Sequence, residues 1–526
     1  MTTIFDTIVI GAGHNGLTCA AYLARARRRV MVIEARELPG GFTTTEETIV
    51  RAPGFRFSPA ALDMATGNIP PSVVDELGLA RHGLRWVEPD PFYSYVMPDG
   101  ASLAFWRHYP RTCIEIQRFS KRDAERYAEL TEVLRDVWIT AAPYLMGHPR
   151  RPGLSTLWSI ATRALRRRRH LTRATRILLS APGLIIEEWF QSRELRTALA
   201  CFAIGGLVPI DEPAAGLILS VMALQHAWGV RRPVGGMGAL VEALVRELEA
   251  CGGLLRTGDP VAALLHESGR VVGVATRSGA EFRAARVVGA IDPKTLFDRL
   301  APAELVGAGL RAELDALGVS RGNCAAFRAD VALWNRPRLV TGDERGRELL
   351  PSSMLFATDL ESVRRTSAAI GLGEIADDLP VWIAAPSVID RSLVPHGSAG
   401  EGLYVFVPSV PLQLRGGEPW SARKQSIVDS AIATFERVAP GVSQQVIGSA
   451  ARSPDDIAGL SNVYRGHAFH VDMSVAQLGP WRPTPSLAGY RSPIPGLWHT
   501  GAGAHPMGTV CGWPGRAAAQ TLLTRS

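Results

Sequence analysis

The sequence has 526 residues, of which 46% are hydrophobic, and a net charge of +7 at pH 7; this length exceeds one compact core and predicts two or three domains. The positive charge comes from 54 arginines against three lysines. That imbalance is typical of a GC-rich bacterial genome and does not by itself indicate nucleic-acid binding. The six cysteines have no CxxC spacing, so neither a zinc site nor a disulfide framework is expected.

The N-terminal residues MTTIFD run directly into the apolar segment TIVIGAG, with neither a basic region nor a cleavage site. We therefore expect no secretory signal peptide and a cytoplasmic protein. The two longest uncharged stretches, 197–210 and 213–230, contain Gly and Pro and are separated by Asp211 and Glu212. Both fall short of a membrane-spanning helix, so the chain is expected to be soluble or peripheral.

The first predicted elements are a strand, a glycine-rich turn, a helix and a second strand, in TIVIGAGHNGLTCAAYLARARRRVMVIEA (7–35). Gly11 permits the tight turn, Gly13 lets a pyrophosphate approach the backbone, and Gly16 lets the helix pack closely on the sheet. Glu34 ends the second strand, where a carboxylate can accept hydrogen bonds from ribose hydroxyls. The segment predicts a dinucleotide site. Its other predicted contacts are His14, Asn15, Ala35 and Arg36.

A second pair of glycines follows in LPGGFTTT (38–45), which an NAD site does not need. It resembles the extension of FAD enzymes of the glutathione-reductase-like group, in which this loop runs along the diphosphate toward the flavin. The resemblance implies FAD, with contacts from Gly40, Gly41, Phe42 and Thr43. No second GxGxxG followed by an acid occurs, so a dedicated NAD(P) domain is not predicted.

An arginine-rich stretch with apolar residues at helical spacing, LWSIATRALRRRRHLTRATRILL (157–179), has seven arginines between positions 163 and 176. Three interpretations remain open: a solvated helix face, a basic surface helix that contacts an anionic membrane, and a surface that attracts an acidic substrate or carrier. Nucleic acid is not expected, because no motif with interleaved aromatic residues accompanies the charge.

Several apolar segments suit the wall of a tunnel. The uncharged stretches 201–210 and 213–230 contain Phe202, Met222 and Trp228, and they equally suit an ordinary core. Farther along, AAFRADVALW and EGLYVFVPSV have the composition of strands that line a pocket. An apolar small-molecule substrate is therefore favoured.

Three further segments carry a family resemblance: PGFRFSPAALDM (53–64), the long stretch from RRPVGGMGAL to VVGVATRSG (231–279), and YRSPIPGLWHTGAGAHPMGTVCGWPGRAAA (490–519). They resemble the phytoene-desaturase-like flavoproteins, especially the branch near the pyridine-nucleotide-disulfide oxidoreductase domain 2 proteins. The resemblance implies an α/β fold, with a Rossmann-like FAD-binding domain and an inserted α+β substrate domain. The implied boundaries are 1–75, 230–310 and 485–526 for the FAD domain, and 76–229 and 311–484 for the substrate domain.

The resemblance also implies roles for individual residues. Val261 would lie at the adenine, while Gly501, Ala502 and Gly503 would leave room for the cofactor. Amides of Gly508, Thr509 and Val510 would face the pyrimidine edge of the flavin, at a helix N-terminus that stabilises negative charge. Family members typically have Arg or a small residue after the double glycine, and Phe42 departs from the Arg version. A metal site at His505 and Cys511 is not expected, since no further ligands accompany them.

Tyr464, His470 and His505 are the candidate catalytic residues. Histidine supplies a general base most readily, and His470 matches a histidine of the closer branch. For each of the three, a purely structural role is the alternative, and aliphatic desaturation can proceed without a strong base.

The resemblance implies an FAD-dependent desaturase or dehydrogenase that transfers a hydride from an extended apolar substrate to flavin N5. Such a substrate would be a polyene, an isoprenoid or a polyketide-like natural product. The alternatives are an isomerase or cyclase without net redox change and an amine oxidase, a class that usually keeps a lysine near N5. A binding protein that retains the fold is disfavoured by the cofactor motifs at both chain ends. The oligomeric state is not predicted.

Overall fold

The structure, a computed structural model, describes residues 4–61, 66–67, 73–145, 147–340 and 351–524. Residues 62–64, which end the segment PGFRFSPAALDM, lie outside this range. Within it the strands are β1 Ile4–Ile10, β2 Val30–Ile33, β3 Thr66–Gly67, β4 Trp86–Val87, β5 Tyr93–Val96, β6 Ser102–Phe105, β7 Val230–Pro233, β8 Leu254–Arg256, β9 Val261–Glu267, β10 Arg270–Thr276, β11 Glu281–Gly289, β12 Cys324–Leu333, β13 Ser353–Phe356, β14 Val381–Ala384, β15 Glu401–Pro411, β16 Val446–Arg452 and β17 Leu497–His499.

The α-helices of the same residues are α1 His14–Arg25, α2 Val73–Leu77, α3 Tyr109–Gln117, α4 Lys121–Leu145, α5 Leu154–Arg166, α6 Arg168–Leu179, α7 Pro182–Trp189, α8 Arg193–Ala203, α9 Leu217–Trp228, α10 Gly238–Ala250, α11 Pro293–Thr295, α12 Ala308–Asp315, α13 Leu360–Gly371, α14 Lys424–Glu436, α15 Pro454–Ser461 and α16 Trp513–Thr524. Both classes of element are present, as an α/β fold requires.

The first sheet combines strands from the two ends and the middle of the chain. Its order is β8-β2-β1-β11-β10-β9, and β17 pairs with β11. The strands β8, β2, β1, β11 and β17 are parallel, whereas β10 and β9 form an antiparallel extension. Helices cover the parallel strands, so β2 is buried along its whole length. This Rossmann-like arrangement agrees with the predicted fold class.

Helices α1, α10 and α16 pack together against one face of this sheet. The contact between α1 and α16 is close, because a Cβ atom at Gly515 would overlap the backbone carbonyl of Asn15. The last helix of the chain therefore holds the first one in place on the sheet.

The second sheet has the order β16-β12-β15-β14-β13-β5-β6 and is antiparallel except for the pair β13 and β5. One face packs against a core formed with helices α4, α8 and α9, and the other face packs against α14. A small sheet, β3-β7-β4, lies where the chain passes between the two large sheets. The exact domain boundaries at 75, 229, 310 and 484 stay predictions.

The arginine-rich stretch forms two helices, α5 and α6, although its periodicity indicated one continuous helical face. At the break, Arg167 and His170 both contact the carboxylate of Asp136 on α4, at 2.9 and 2.7 Å. These contacts hold the turn between the two helices on α4. Helix α5 buries none of its residues and leaves Leu154 and Trp158 largely exposed. Among the described residues, no helix is both long and apolar enough to cross a membrane.

Candidate cofactor and substrate site

The turn between β1 and α1 needs its glycines for steric reasons. Gly11 has φ +96°, a conformation that favours glycine. A Cβ atom at Gly16 would overlap the carbonyl oxygen of Gly11, so a side chain there would push α1 off the sheet. A Cβ at Gly13 would meet no atom nearer than 4.0 Å, so the space in front of that residue is open.

The carboxylate of Glu34 lies beside this turn at the end of β2. One of its oxygens accepts a hydrogen bond from the Ala12 amide at 2.7 Å, and the other from the Arg36 amide at 3.0 Å. Each carboxylate oxygen can accept a further hydrogen bond. Glu34 is therefore oriented by the backbone and still able to accept hydroxyl donors.

The second glycine pair lies against the first turn. The amide of Gly40 donates to the carbonyl of Ala12 at 2.9 Å, and Gly40 and Gly41 have φ of +131° and +59°. Arg36 pairs with Glu46 at 3.0 Å, which fixes the chain that leads into this loop. The two glycine motifs thus form one continuous wall.

These motifs enclose a cavity with an empty volume of about 1020 Å³, here called the glycine-rich cleft. The predicted residues that line it come from the N-terminal segment, β9, the segment around His470, and residues 500–512, here called the C-terminal loop. They are Gly11, Gly13, His14, Asn15, Glu34, Ala35, Arg36, Gly40, Gly41, Phe42, Val261, His470, Gly501 and Ala502. The remaining glycines of the two motifs, Gly16 and Gly503, pack behind its wall.

Two polar atoms of the glycine-rich cleft are buried and make no hydrogen bond within the part of the chain that the structure describes. They are Oδ1 of Asn15 and Nη1 of Arg36. Buried polar groups are rarely left unsatisfied in native proteins. Donors and acceptors of this kind, beside a carboxylate and a helix N-terminus, fit a sugar–diphosphate cofactor.

A second and larger cavity, here called the apolar cavity, has an empty volume of about 1460 Å³. It adjoins the glycine-rich cleft, because His14, Phe42 and Ala468 line both. The predicted residues Thr43, Gly508, Thr509 and Val510 line the apolar cavity at this junction. Space therefore continues from the cleft, past the C-terminal loop, into the apolar cavity.

The walls of the apolar cavity are mostly aromatic and aliphatic. Phe202 and Trp382 stack with ring centroids 6.1 Å apart, and Phe406 packs edge-on against Trp382 at 5.5 Å. The two apolar stretches that the sequence suggested for a tunnel wall both line this cavity, through Phe202, Leu207, Val208, Leu217, Ile218 and Val221. Met222 lies in the core formed with α4 and α8, and Trp228 packs against the core of the first sheet.

His14 lies where the two cavities meet. Its Nδ1 is 3.1 Å from the hydroxyl of Thr43, and burial lowers its pKa to about 4. The imidazole is therefore neutral at physiological pH. A neutral ring at this position can exchange hydrogen bonds without bringing charge into the apolar cavity.

His470 is the one candidate catalytic residue that lines a cavity. It has φ +62° and lies beside Gly501 and Gly503 of the C-terminal loop. Burial, together with the neighbouring His467 and Arg482, lowers its pKa to about 3. Such a low pKa makes His470 a weak proton acceptor near neutral pH.

The other two catalytic candidates, His505 and Tyr464, line neither of the two cavities. The Nε2 of His505 is 3.4 Å from the carbonyl of Tyr144, whose ring packs edge-on against it. Tyr464 donates its amide to Asp292 at 3.3 Å in a short turn. These contacts favour a structural role for His505.

Sequence inspection missed three polar residues of the apolar cavity: Tyr93, Gln225 and Arg328. Arg328 lies fully buried on β12, where it donates to the carbonyls of Ser58 and Ala61 and stacks 3.4 Å above the Tyr404 ring. The charged pair Arg328 and Asp330, two positions apart in the mostly apolar strand AAFRADVALW, was the available signal. Tyr93 and Gln225 gave no such signal.

Comparison with known proteins identifies the class of site. Residues 16–365 match the model of the flavin containing amine oxidoreductases. The chain belongs to this family. It is 31% identical to a rat (Rattus norvegicus) protein, pyridine nucleotide-disulfide oxidoreductase domain-containing protein 2, over 99% of this chain and 93% of that one. It is also 27% identical to the lycopene-forming phytoene desaturase of Pantoea ananas, over 98% of both chains.

The fold has counterparts among solved structures. A putrescine oxidase variant superposes with a TM-score of 0.62 at 15% identity, covering 100% of both chains. The predicted membership in the phytoene-desaturase-like group of FAD-dependent oxidoreductases is confirmed, and so is the predicted cofactor. The protein is a flavin oxidoreductase whose cofactor is FAD, and the residues of the glycine-rich cleft fit that cofactor.

Proposed function

We propose that the protein removes two hydrogens from an extended apolar substrate, such as a polyene or another isoprenoid, to form a carbon–carbon double bond. The apolar cavity is the observation that carries this proposal. It is lined by aromatic rings and aliphatic side chains, and it opens to the glycine-rich cleft at His14 and Phe42. The similarity to a phytoene desaturase supports an apolar substrate.

The two cavities would have different roles: the glycine-rich cleft would hold FAD and the apolar cavity would hold the substrate. FAD, when bound, accepts a hydride equivalent at N5. Glu34 would hold the ribose hydroxyls, the turn at Gly11 and Gly13 the diphosphate, and the amides of Gly508 to Val510 the flavin ring. The apolar walls exclude water and position a C–H bond.

The lining favours a mechanism without a strong base. His14 and His470 have pKa values of about 4 and about 3, so both are neutral and weakly basic. A proton lost after hydride removal is acidic enough to pass to a weak acceptor or to water at the junction. The substrate thus loses a hydride and a proton, and its carbon skeleton gains one double bond.

The lining disfavours an amine substrate. Among the described residues that line the apolar cavity none is a carboxylate that could bind an ammonium group, and the one charged side chain, Arg328, pairs with Asp330 at 3.3 Å. Lys294 and Lys424 pair with carboxylates elsewhere, and Lys121 is exposed. An isomerase or cyclase reaction at the same site would leave the flavin oxidised, which separates it from the proposed desaturation.

We further propose that α5 and α6 bind the surface of an anionic membrane, from which a lipid-soluble substrate would enter. Leu154, Trp158 and Leu165 are 86%, 73% and 67% exposed, and seven arginines flank them. An amphipathic basic helix with exposed Trp and Leu is typical of interfacial binding. Vesicles containing phosphatidylserine should sediment the protein, and Trp158→Ser should weaken this binding about tenfold. Equal binding to neutral vesicles, or no binding, would contradict this part of the proposal.

The main experiment is anaerobic mixing of the FAD-loaded protein with isoprenoid hydrocarbons such as phytoene. The flavin absorbance should bleach as a product with one more double bond forms in equal amount. The matched control adds the same compounds to protein whose flavin is already reduced, which should form no product. Product without bleaching would instead favour the isomerase or cyclase.

A further inference from the structure

The apolar cavity contains one polar corner, formed by the side chains of Gln225 on α9 and Tyr93 on β5. The Nε2 of Gln225 is 3.1 Å from the Tyr93 hydroxyl oxygen. Both residues line the cavity and are almost completely buried, at 5% and 2% exposure. The other oxygen of this pair, Oε1 of Gln225, is buried without a hydrogen-bond partner among the described residues.

The other buried polar side chains of α9 have hydrogen-bond partners, unlike Oε1 of Gln225. Ser220 donates its hydroxyl to Leu217 at 2.6 Å. His226, the residue after Gln225, has both ring nitrogens engaged, with the Trp106 carbonyl at 2.8 Å and the Tyr127 hydroxyl at 2.7 Å. The buried polar side chains of α9 that face the protein core are thus satisfied, whereas the one that faces the cavity is not.

The corner is surrounded by apolar rings that cannot complete its hydrogen bonds. The Tyr93 ring centroid is 5.5 Å from that of Phe202 and 5.8 Å from that of Trp382. The indole nitrogen of Trp382 already donates to the carbonyl of Cys201 at 2.9 Å. An unsatisfied carboxamide in such surroundings costs free energy, which a ligand with a complementary group would recover.

We propose that Gln225 and Tyr93 bind a hydroxyl group of the substrate, so that the site prefers an otherwise apolar alcohol to the corresponding hydrocarbon. A hydroxyl both donates and accepts. It can donate to Oε1 of Gln225 in the orientation seen here, and it can accept from the amide if the carboxamide is turned over with Tyr93 as donor. The hydroxyl of Thr509 lies near the junction, at the residues proposed to contact the flavin ring, and is assigned to the cofactor end.

This inference rests on the proposed function, since it specifies the substrate of the same cavity. It assigns specificity to Gln225 and no part in the chemistry. Hydrogen-bonding sites discriminate strongly against analogues that lack the matching group, because the buried polar atoms are then left unpaired. The expected consequence is a preference for alcohols that disappears when Gln225 is replaced by an apolar residue of similar length.

The test measures dissociation constants for matched pairs of isoprenoid hydrocarbon and terminal alcohol over a range of chain lengths, from the perturbation of the flavin spectrum. In the wild-type holoenzyme the alcohol of the best-fitting pair should bind at least about tenfold more tightly. Gln225→Met should abolish that preference and leave the hydrocarbon affinity equal or higher. Leu217→Met, on the same helix and also lining the cavity, serves as the matched control and should keep the ratio.

The outcomes separate this inference from the proposed function. Equal binding of alcohol and hydrocarbon by the wild type, or an unchanged ratio in Gln225→Met, would show that a water satisfies the corner and would overturn the inference alone. Binding of neither compound at any length would overturn the proposed function with it. If Gln225→Met does not fold, Tyr93→Phe, which removes the anchor of the carboxamide, should reduce the preference about threefold; an unchanged ratio there overturns the inference.

Discussion

The glycine-rich cleft and the apolar cavity share three residues but are built in different ways. The cleft is formed largely by backbone, from a few short segments in which glycines permit close approach. The apolar cavity is formed by side chains from elements that are far apart in the chain, such as β5, α9 and β14. Backbone motifs fix the cofactor with little freedom, whereas a wall of separate side chains can change its substrate one residue at a time.

The largest effect is expected at Gly16. Replacing it by Ala would drive a methyl group into the Gly11 carbonyl and close to the Cβ of Ala290. We expect a loss of at least about 4 kcal/mol of unfolding free energy, together with loss of FAD, measured by urea denaturation and flavin content. Gly371→Ala is the control, because a Cβ there meets no atom within 4 Å. A stable, FAD-loaded Gly16→Ala protein would show that the backbone of the cleft is not rigid.

Removal of the charge at Glu34 should weaken FAD binding without unfolding the protein. Glu34→Gln keeps the shape but lacks a negative charge to accept the ribose hydroxyls, so we expect an increase of about 100-fold in the FAD dissociation constant. Titration of apoprotein with FAD measures it, and Glu37→Gln, at an exposed position nearby, provides the control. An affinity that matches the wild type would remove Glu34 from the cofactor contacts.

Filling the apolar cavity should impair turnover of the substrate without weakening FAD binding. Val221 on α9 faces this empty space, so Val221→Trp should lower kcat/KM for an apolar substrate about 30-fold and leave FAD affinity unchanged. The same replacement at Val50, which is 97% exposed, controls for the larger side chain. A parallel loss of FAD would mean that the two cavities do not act independently.

The smallest effect is expected from pH. Burial disfavours the charged imidazolium, so His14 and His470, with pKa values of about 4 and about 3, release their protons well below pH 6.5 and stay neutral above about pH 5. The rate of flavin reduction by substrate, measured by anaerobic stopped flow, should change less than about twofold between pH 6 and pH 8. An inflection near 6.5 that disappears in His14→Gln would identify that histidine as a base.

The contrast between the local backbone motifs of the cleft and the scattered side chains of the cavity also determines how much the sequence could predict. The strand–turn–helix at Gly11 to Gly16, the second glycine pair and the C-terminal loop are local patterns, and the fold and cofactor class followed from them. Gln225 and Tyr93 lie 132 residues apart, and each looks unremarkable on its own. Only the folded chain brings them together.

The direction of individual side chains also limited what the sequence could predict. His505 lies within a strongly patterned glycine loop, yet its ring turns toward Tyr144 and away from both cavities. The break of the arginine-rich stretch at Arg167 depends on Asp136, a residue of another helix. Periodicity reports which face of an element is apolar, but it does not contain such tertiary contacts.

The position of α16 has a consequence for biosynthesis. Helix α1 is synthesised before helix α16, which covers it, and before strand β17, which pairs with β11. The apolar face of α1 therefore stays uncovered until α16 has been made, and exposed apolar surface of this kind promotes aggregation of a nascent chain. A truncation that removes α16 would leave this surface permanently uncovered and should make the whole polypeptide susceptible to proteolysis.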